Sequence, residues 1–114
     1  MRRIQTSALF DRQLFDFAES YRDIAGLETA DRFLACIDDA LAFIADAPEA
    51  CSVCHEFREI AELRDYTFRK WRVKVFPFSI FFRILEDSLI RVEAIYPHKM
   101  DILNRLPSDR DLNG

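Results

Sequence analysis

Hydrophobic and polar residues alternate most regularly between Trp71 and Tyr96. Successive side chains of a strand point to opposite faces, so odd and even positions separate the two faces. The even positions of two successive runs are all apolar: Phe78, Ile80, Phe82, Ile84, Ile90, Val92, Ala94 and Tyr96. The odd positions mix apolar side chains with polar ones such as Arg83, Arg91 and Glu93. This pattern predicts a β-hairpin with one buried face, preceded by a third strand.

The same pattern predicts the register of the hairpin. A three-residue loop, Glu86-Asp87-Ser88, pairs the apolar positions with one another, whereas a two-residue loop would pair them with polar ones. The expected pairs are Ile84 with Ile90, Phe82 with Val92 and Ile80 with Ala94. This register also places Arg83 opposite Arg91, an unfavourable arrangement of like charges. It is tolerated if the two side chains extend into water or if an acidic group binds there.

Two earlier segments have the apolar spacing of amphipathic helices. The first carries Phe10, Leu14, Phe17, Ala18 and Tyr21, and the second carries Ala30, Phe33, Leu34, Ile37, Leu41 and Ile44. Ser7 suits the N-cap of the first helix, and Gly26 suits the left-handed position that ends it. Pro48 lies just beyond the second helix. Two helices with so short a connection form an antiparallel hairpin.

These elements together predict an α+β fold, in which the αα hairpin packs on a small twisted antiparallel β-sheet. The expected core contacts join two sets of residues, Phe33, Ile37 and Leu41 on the helix and Ile80, Phe82 and Val92 on the sheet.

The remaining segments have weaker signals. Residues 4–6 are expected to form an edge strand, and residues 48–62 a loop with one helical turn. Residues 68–75 are compatible with a strand that ends before a bend at Pro77. Residues 101–106 are expected to form a helical turn. The chain is therefore interpreted as one domain over residues 1–106 with a polar tail over residues 107–114.

Charge is distributed unevenly along the chain. Net charge is −4 overall, but residues 1–62 carry 6 basic and 13 acidic side chains, whereas residues 64–83 carry 6 basic side chains and Asp65 alone. The sheet is thus expected to present a positive surface on an acidic body. Neither a secretion signal nor an apolar run of membrane-spanning length is found, so we expect a cytoplasmic protein with reduced cysteines and no membrane association.

Cofactor chemistry finds little support in the sequence. Cys51-Ser52-Val53-Cys54-His55 matches the haem attachment pattern C-x-x-C-H, but that chemistry requires export. Zinc needs four ligands, and only Cys36 and His98 could complete a set. We therefore expect neither haem nor zinc, and no other cofactor.

The remaining chemical signal is a set of basic residues interleaved with aromatic ones. The residues expected to bind a partner are Arg69, Lys70, Arg72, Lys74, Arg83 and Arg91. Residues two apart on a strand share a face, so Lys70, Arg72 and Lys74 could form a stripe. Such a surface can contact phosphates or an acidic protein, and basic residues on a solvated sheet face are also ordinary.

The order of these motifs resembles that of the RelE/ParE superfamily of bacterial toxins, with the ParE-like branch favoured. The resemblance covers about residues 2–99 and is carried by two amphipathic helices, the basic strand, Phe76-Pro77-Phe78, Ile80-Phe81-Phe82-Arg83, the acidic turn at Glu86-Asp87 and the last apolar strand. It implies the toxin of a type II toxin–antitoxin module, neutralised by a cognate antitoxin that covers its active surface.

The resemblance leaves the target open. ParE-like toxins bind and inhibit DNA gyrase, whereas RelE-like toxins cleave mRNA on the ribosome. For the second activity the candidate catalytic residues are Arg69, Arg83, His98 and Lys99. The acidic composition and the sequence Pro97-His98-Lys99, with no arginine before Arg105, favour the gyrase-binding alternative. A third alternative is a non-toxic member that is retained only for protein binding.

Overall fold

Two long helices form an antiparallel hairpin. A computed structural model describes residues 2–55, 57, 64–86 and 88–98. Helix α1 spans Ala8–Ala25 and helix α2 spans Leu27–Asp46. The Ser7 side chain accepts a hydrogen bond from the Phe10 amide, which confirms the predicted N-cap. Gly26 joins the helices with φ +95° and ψ 165°, a combination that is nearly exclusive to glycine but is not the left-handed helical conformation.

In the described part of the chain, the sheet has five strands in the order β1-β5-β4-β3-β2. Their ranges are Arg3–Thr6 (β1), Ser52–Cys54 (β2), Phe68–Arg72 (β3), Phe78–Glu86 (β4) and Leu89–Pro97 (β5). The predicted α+β fold and the edge strand at the N-terminus are confirmed. The sheet is mixed, not purely antiparallel, because β1 pairs with β5 in parallel.

One face of the sheet packs against both helices, and we call it the helix side. Phe33 and Ile37 of α2 share a buried cluster with Ile80, Phe82 and Val92, and Leu41 packs at its margin, as predicted. Phe33, Ile37, Ile80, Phe82 and Val92 are each 0% exposed. Full burial of large apolar side chains is the main favourable contribution to folding, so this cluster is the principal core.

A β-bulge at Glu93 changes the predicted faces of β5. Ile84 pairs with Ile90 and Phe82 with Val92, as expected, but Phe81 then pairs with Ala94 and Ile80 with Ile95. The predicted pairing of Ile80 with Ala94 is therefore wrong. One extra residue in β5 reverses the parity beyond it, so Ala94 and Tyr96 point away from the helices while Ile95 points toward them.

Helix α1 holds this bulge in place. The Ser7 hydroxyl donates a hydrogen bond of 2.7 Å to the Glu93 carbonyl, and the Gln13 side-chain oxygen accepts one of 2.9 Å from the Ile95 amide. Backbone groups that a bulge removes from the ladder need such partners when they are buried. The start of α1 therefore determines where β5 changes parity.

Three further expectations need correction. The basic strand ends at Arg72 and not at residue 75, because residues 74–77 bend before β4. The hairpin turn is also different, since Glu86 pairs with Leu89 and an irregularity lies between Ile84 and Glu86. Within residues 48–62, expected to be a loop, the predicted helical turn occurs at Pro48–Ala50, but Ser52–Cys54 forms a strand. The helical turn expected at residues 101–106 lies outside the described residues.

Candidate functional site

The face of the sheet away from the helices, here called the outer face, carries most of the predicted basic residues. Lys70 pairs with Phe81 and Arg72 with Ser79, while Arg83 pairs with Arg91. Their neighbours Phe82 and Ile80 point to the helix side, so alternation along the strands places these four basic side chains on the outer face. His98, just after β5, lies near Arg72 at one end of this face.

Arg83 and Arg91 share one internal carboxylate, that of Glu93. The Glu93 carboxylate accepts a hydrogen bond of 2.9 Å from Arg83 Nε and one of 3.3 Å from Arg91 Nε. The pairing of the two arginines was predicted, but the acidic group between them comes from the bulge in β5 and not from a partner. Arg91 also donates to the Gln5 side-chain oxygen at 3.2 Å, which links the cluster to β1.

Aromatic side chains cover the middle of the outer face. Phe57, Phe68, Phe81 and Tyr96 form a second buried cluster, in which the rings of Phe57 and Phe68 are 4.7 Å apart. The Arg83 guanidinium lies 4.3 Å from the ring centroid of Tyr66 and 5.9 Å from that of Phe68. A cation over an aromatic ring is attracted by the negative face of the ring, so Arg83 is held by Glu93 and by Tyr66 together.

Arg72 and His98 lie together at one end of the outer face. Arg72 Nη2 is 3.3 Å from His98 Nδ1, and both side chains are exposed. Within the described part of the chain, Arg72 forms no ion pair. An exposed guanidinium without a carboxylate can bind an acidic group of a partner without first losing an internal one.

Arg69 occupies a different position from the other basic residues. It pairs with Phe82, and its side chain therefore lies on the helix side. Arg69 Nη1 donates hydrogen bonds of 2.8 Å to the Cys51 carbonyl and 3.4 Å to the Glu49 carbonyl. This arginine therefore provides hydrogen-bond donors for two backbone carbonyl groups just before β2. Lys74 lies beyond the end of β3 and lines a cavity against α2, so it does not continue the stripe of Lys70 and Arg72.

The candidate catalytic residues do not lie together. Arg69 and Arg83 are on opposite faces of the sheet. Arg83 and His98 lie near opposite ends of the β4–β5 pair. His98 follows Pro97, and Pro97 pairs with Phe78. Phe78 is five residues from Arg83, a separation of about 17 Å along a strand. Lys99 lies outside the described residues. Proton transfer and phosphate stabilisation require groups within hydrogen-bonding distance of one substrate, and these three residues cannot meet that requirement as placed.

The two cysteines of the C-x-x-C-H sequence lie on opposite sides of the sheet. Cys51 belongs to the cluster on the helix side, and Cys54 belongs to the cluster on the outer face. Among the described residues, no group of three or more His, Cys, Asp or Glu side chains is placed to hold a metal. Burial raises the pKa of the Cys51 thiol, an effect that Arg69 opposes and Glu49 reinforces. Cys51 therefore remains a protonated, poorly nucleophilic thiol at neutral pH.

Comparison with known proteins identifies the family to which this chain belongs. The family model described as "ParE toxin of type II toxin-antitoxin system, parDE" matches residues 4–102. The chain belongs to this ParE toxin family. It is therefore the toxin component of a type II toxin–antitoxin system, for which a cognate antitoxin is the partner.

A solved structure shows the same fold. A chain of the chromosomal ParDE TA system from P. aeruginosa superposes with a TM-score of 0.66 at 16% sequence identity. The match covers 85% of this toxin and 96% of that chain. No curated protein matches the sequence significantly. In the described part of the toxin, no helix is both long enough and apolar enough to span a membrane.

Several residues that shape the toxin's outer face were not identified from the sequence. Glu93 was one of the mixed odd positions of β5, Tyr66 preceded the basic strand, and Gln5 lay in an edge strand. A carboxylate two residues from Arg91 on one strand was a signal that the two could interact, since such residues share a face. The contact with Arg83 depends on the register and the bulge.

The bend after β3 contains an unusual backbone conformation. Val75 has φ +76° and its side chain is 78% exposed. Positive φ is unfavourable for a β-branched residue because its side chain crowds the backbone. The neighbouring Phe76 and Phe78 rings are buried in the main core, and the Val73 amide donates to the Phe78 carbonyl at 2.9 Å. These contacts fix the bend and thereby keep Val75 strained.

Replacing Val75 with glycine should therefore stabilise the toxin. We expect the free energy of unfolding to rise by about 1 kcal/mol, because glycine adopts positive φ without crowding. Urea denaturation of the parent and the variant measures this difference. Val75→Ala is the matched control, since it retains a Cβ atom and should give a smaller gain. A loss of stability in Val75→Gly would show that the valine side chain contributes more than the strain costs.

Proposed function

We propose that this toxin acts by binding its target, with DNA gyrase as that target, and that it does not cleave RNA. The observation that supports this proposal is the separation of the candidate catalytic residues. Arg69 binds backbone carbonyls on the helix side, Arg83 is paired with Glu93, and His98 lies at the far end of the outer face. The same surface suits protein binding, which does not require groups to converge on one reacting atom.

Two assays with purified toxin test the proposal. In a plasmid supercoiling reaction, gyrase activity should fall as toxin is added and should recover when the antitoxin encoded in the adjacent reading frame is added. In a cell-free translation reaction, the reporter mRNA should remain intact. Cleavage of the mRNA together with unchanged supercoiling would contradict the proposal and favour the ribosome-dependent endonuclease. Growth without inhibition after expression of the toxin alone would favour the non-toxic alternative.

We further propose that the antitoxin places an acidic segment on the outer face, at the end where Arg72 and His98 lie. Arg83 and Arg91 already share the Glu93 carboxylate, so a partner would have to compete for them. Among the described residues, no carboxylate pairs with Arg72, so a partner bound there displaces none of them. An acidic segment lying along α1 and α2 would be repelled, because these helices carry 9 acidic and 3 basic side chains, whereas the end of β3 offers the basic Arg72.

Charge reversal at Arg72 tests this site. Arg72→Glu should weaken antitoxin binding about tenfold, since an exposed attraction becomes a repulsion, and should reduce the dependence of affinity on salt. Isothermal titration calorimetry at several salt concentrations measures both quantities. Arg22→Glu in the last turn of α1 is the matched control, because it makes the same charge change at an exposed position on a helix that does not line the site. Equal losses in the two variants would show that only net charge matters and that the Arg72 site is not used.

A further inference from the structure

A cavity of about 270 Å³ lies between helix α2 and the end of strand β3. Four residues of α2 line one side at helical spacing, and two residues from β3 and the following bend line the other: Cys36, Asp39, Ala40, Phe43, Trp71 and Lys74. Sites for drug-sized ligands are typically about 300–1,000 Å³, so this cavity is better matched to one large amino-acid side chain.

The lining of the cavity favours an aromatic side chain. The Phe43 and Trp71 rings are stacked, with centroids 4.2 Å apart and an interplanar angle of 17°. Phe43 remains 37% exposed. A further ring can pack on this pair and gain from the geometry of aromatic contacts as well as from burial. Aromatic anchors in pockets are also the residues that dominate binding energy at protein interfaces.

Two charged residues, Asp39 and Lys74, line this cavity. Among the described residues, neither Asp39 nor Lys74 forms an ion pair or a side-chain hydrogen bond, and both are exposed. The Asp39 carboxylate can accept a hydrogen bond from an indole N–H or a phenol O–H. The Lys74 ammonium can contact a carboxylate beside the aromatic residue. Asp39 therefore suits the polar group of a tryptophan or tyrosine, and Lys74 suits an acidic residue beside it.

The position of the cavity connects it with the outer face. In the described part of the chain, β2 pairs only with Phe68–Lys70, so Trp71 and Arg72 lie at the edge of the sheet. Trp71 points to the helix side and Arg72 to the outer face, where it contacts His98. A segment that passes Arg72 can therefore turn over this edge into the cavity. Val75, strained and 78% exposed, follows Lys74 in sequence and offers additional apolar surface.

We infer that the cavity receives one aromatic side chain of the antitoxin, flanked by acidic residues that contact Lys74 and Arg72. This inference rests on the proposed antitoxin site at the outer face and extends it around the sheet edge. The cavity acts as an anchor, because a desolvated aromatic contact resists dissociation while the surrounding charges guide the segment into register.

The three cysteines allow this inference to be tested on the toxin without any substitution. Cys36 is partly exposed at the cavity, whereas Cys51 and Cys54 are 2% and 4% exposed. Alkylation by iodoacetamide, followed by mass spectrometry of each cysteine peptide, reports the accessibility of the cavity. With saturating antitoxin from the adjacent reading frame, the rate of Cys36 alkylation should fall at least about tenfold. An unchanged rate would overturn the inference.

Filling the cavity tests the same inference by affinity. Cys36→Trp places a large ring in the cavity and should weaken antitoxin binding at least about tenfold, whereas Cys36→Ser, which keeps the size of the side chain, should bind as the parent does. Circular dichroism melts confirm that both variants fold. Alanine replacement of each antitoxin aromatic residue should identify one whose loss restores Cys36 alkylation in the complex. If none does so, the aromatic anchor is wrong.

The result for Arg72→Glu separates this inference from the proposed outer-face site. Weaker binding in Arg72→Glu together with parent affinity in Cys36→Trp would overturn the cavity and leave the outer-face site standing. Parent affinity in Arg72→Glu together with weaker binding in Cys36→Trp would support the aromatic anchor in the cavity but would contradict both the outer-face site and the contact with Arg72.

Discussion

Phe82→Ala should lower the free energy of unfolding by about 3–5 kcal/mol. Phe82 is 0% exposed at the centre of the helix-side cluster. Its neighbours across the strands are Arg69 and Val92, which the sheet register holds in place. The surrounding core can collapse only partly into the space left by the ring. The lost apolar burial and the remaining cavity therefore both lower the free energy of unfolding.

Urea denaturation measures this loss as a lower midpoint with an unchanged slope. Phe15→Ala is the matched control, because Phe15 is 64% exposed on α1 and its replacement should change stability by less than about 0.5 kcal/mol. A loss under about 1 kcal/mol for Phe82→Ala would mean that the helix-side face of β4 is assigned wrongly.

Local patterns were sufficient to predict the helices and the central pairs of the hairpin. Alternation from Phe78 to Ile84 requires one face to be buried, and this requirement selects the pairs Ile84–Ile90 and Phe82–Val92. The spacing of Phe33 and Ile37 likewise identifies the buried face of α2. Each of these inferences depends on residues close together in the chain, where periodicity carries the information.

The bulge could not be predicted from the same alternation. All positions from Ile90 to Tyr96 except Arg91 and Glu93 are apolar, so the sequence is compatible with burial of either parity beyond Glu93. The choice depends on hydrogen bonds that β5 forms with Ser7 and Gln13, which are more than 80 residues away in sequence. The acidic centre between Arg83 and Arg91 follows from that choice, and so it was also missed.

The cavity depends on tertiary geometry in the same way. Cys36, Asp39 and Phe43 lie beside the apolar stripe of α2, where periodicity predicts a boundary between core and solvent. Whether such a boundary is covered or left open is decided by how the helix lies on β3. The same argument applies to Arg69, which counted as a basic candidate in the sequence but lies on the helix side because it pairs with Phe82.

Glu93→Gln should lower the free energy of unfolding by about 2 kcal/mol. The Glu93 side chain is 14% exposed, and those of Arg83 and Arg91 are 20% and 34% exposed. Removal of the charge leaves two partly buried guanidinium groups facing each other across the strands. Loss of one member of a fully buried ion pair costs about 3–5 kcal/mol, and partial solvent screening reduces the cost here.

Glu49→Gln is the matched control for this substitution. Glu49 pairs with Arg2 at 2.7 Å, but the Glu49 side chain is 57% exposed, so its loss should cost less than about 1 kcal/mol. Charge reversal at Arg83 is expected to destabilise the free toxin for the same reason, because Arg83→Glu removes one partner of Glu93 and places a second carboxylate beside it.

The same Glu93→Gln variant separates two ways in which the antitoxin can use the outer face. If an antitoxin carboxylate replaces Glu93 between Arg83 and Arg91, removal of the internal competitor should increase affinity. If the antitoxin binds where Arg72 and His98 lie, affinity should change less than about threefold, because these residues are separated from Glu93 by several strand positions. We expect the second result. A clear increase in affinity would show that the antitoxin opens the Arg83–Glu93–Arg91 cluster, and then the stability this cluster gives the free toxin would oppose neutralisation.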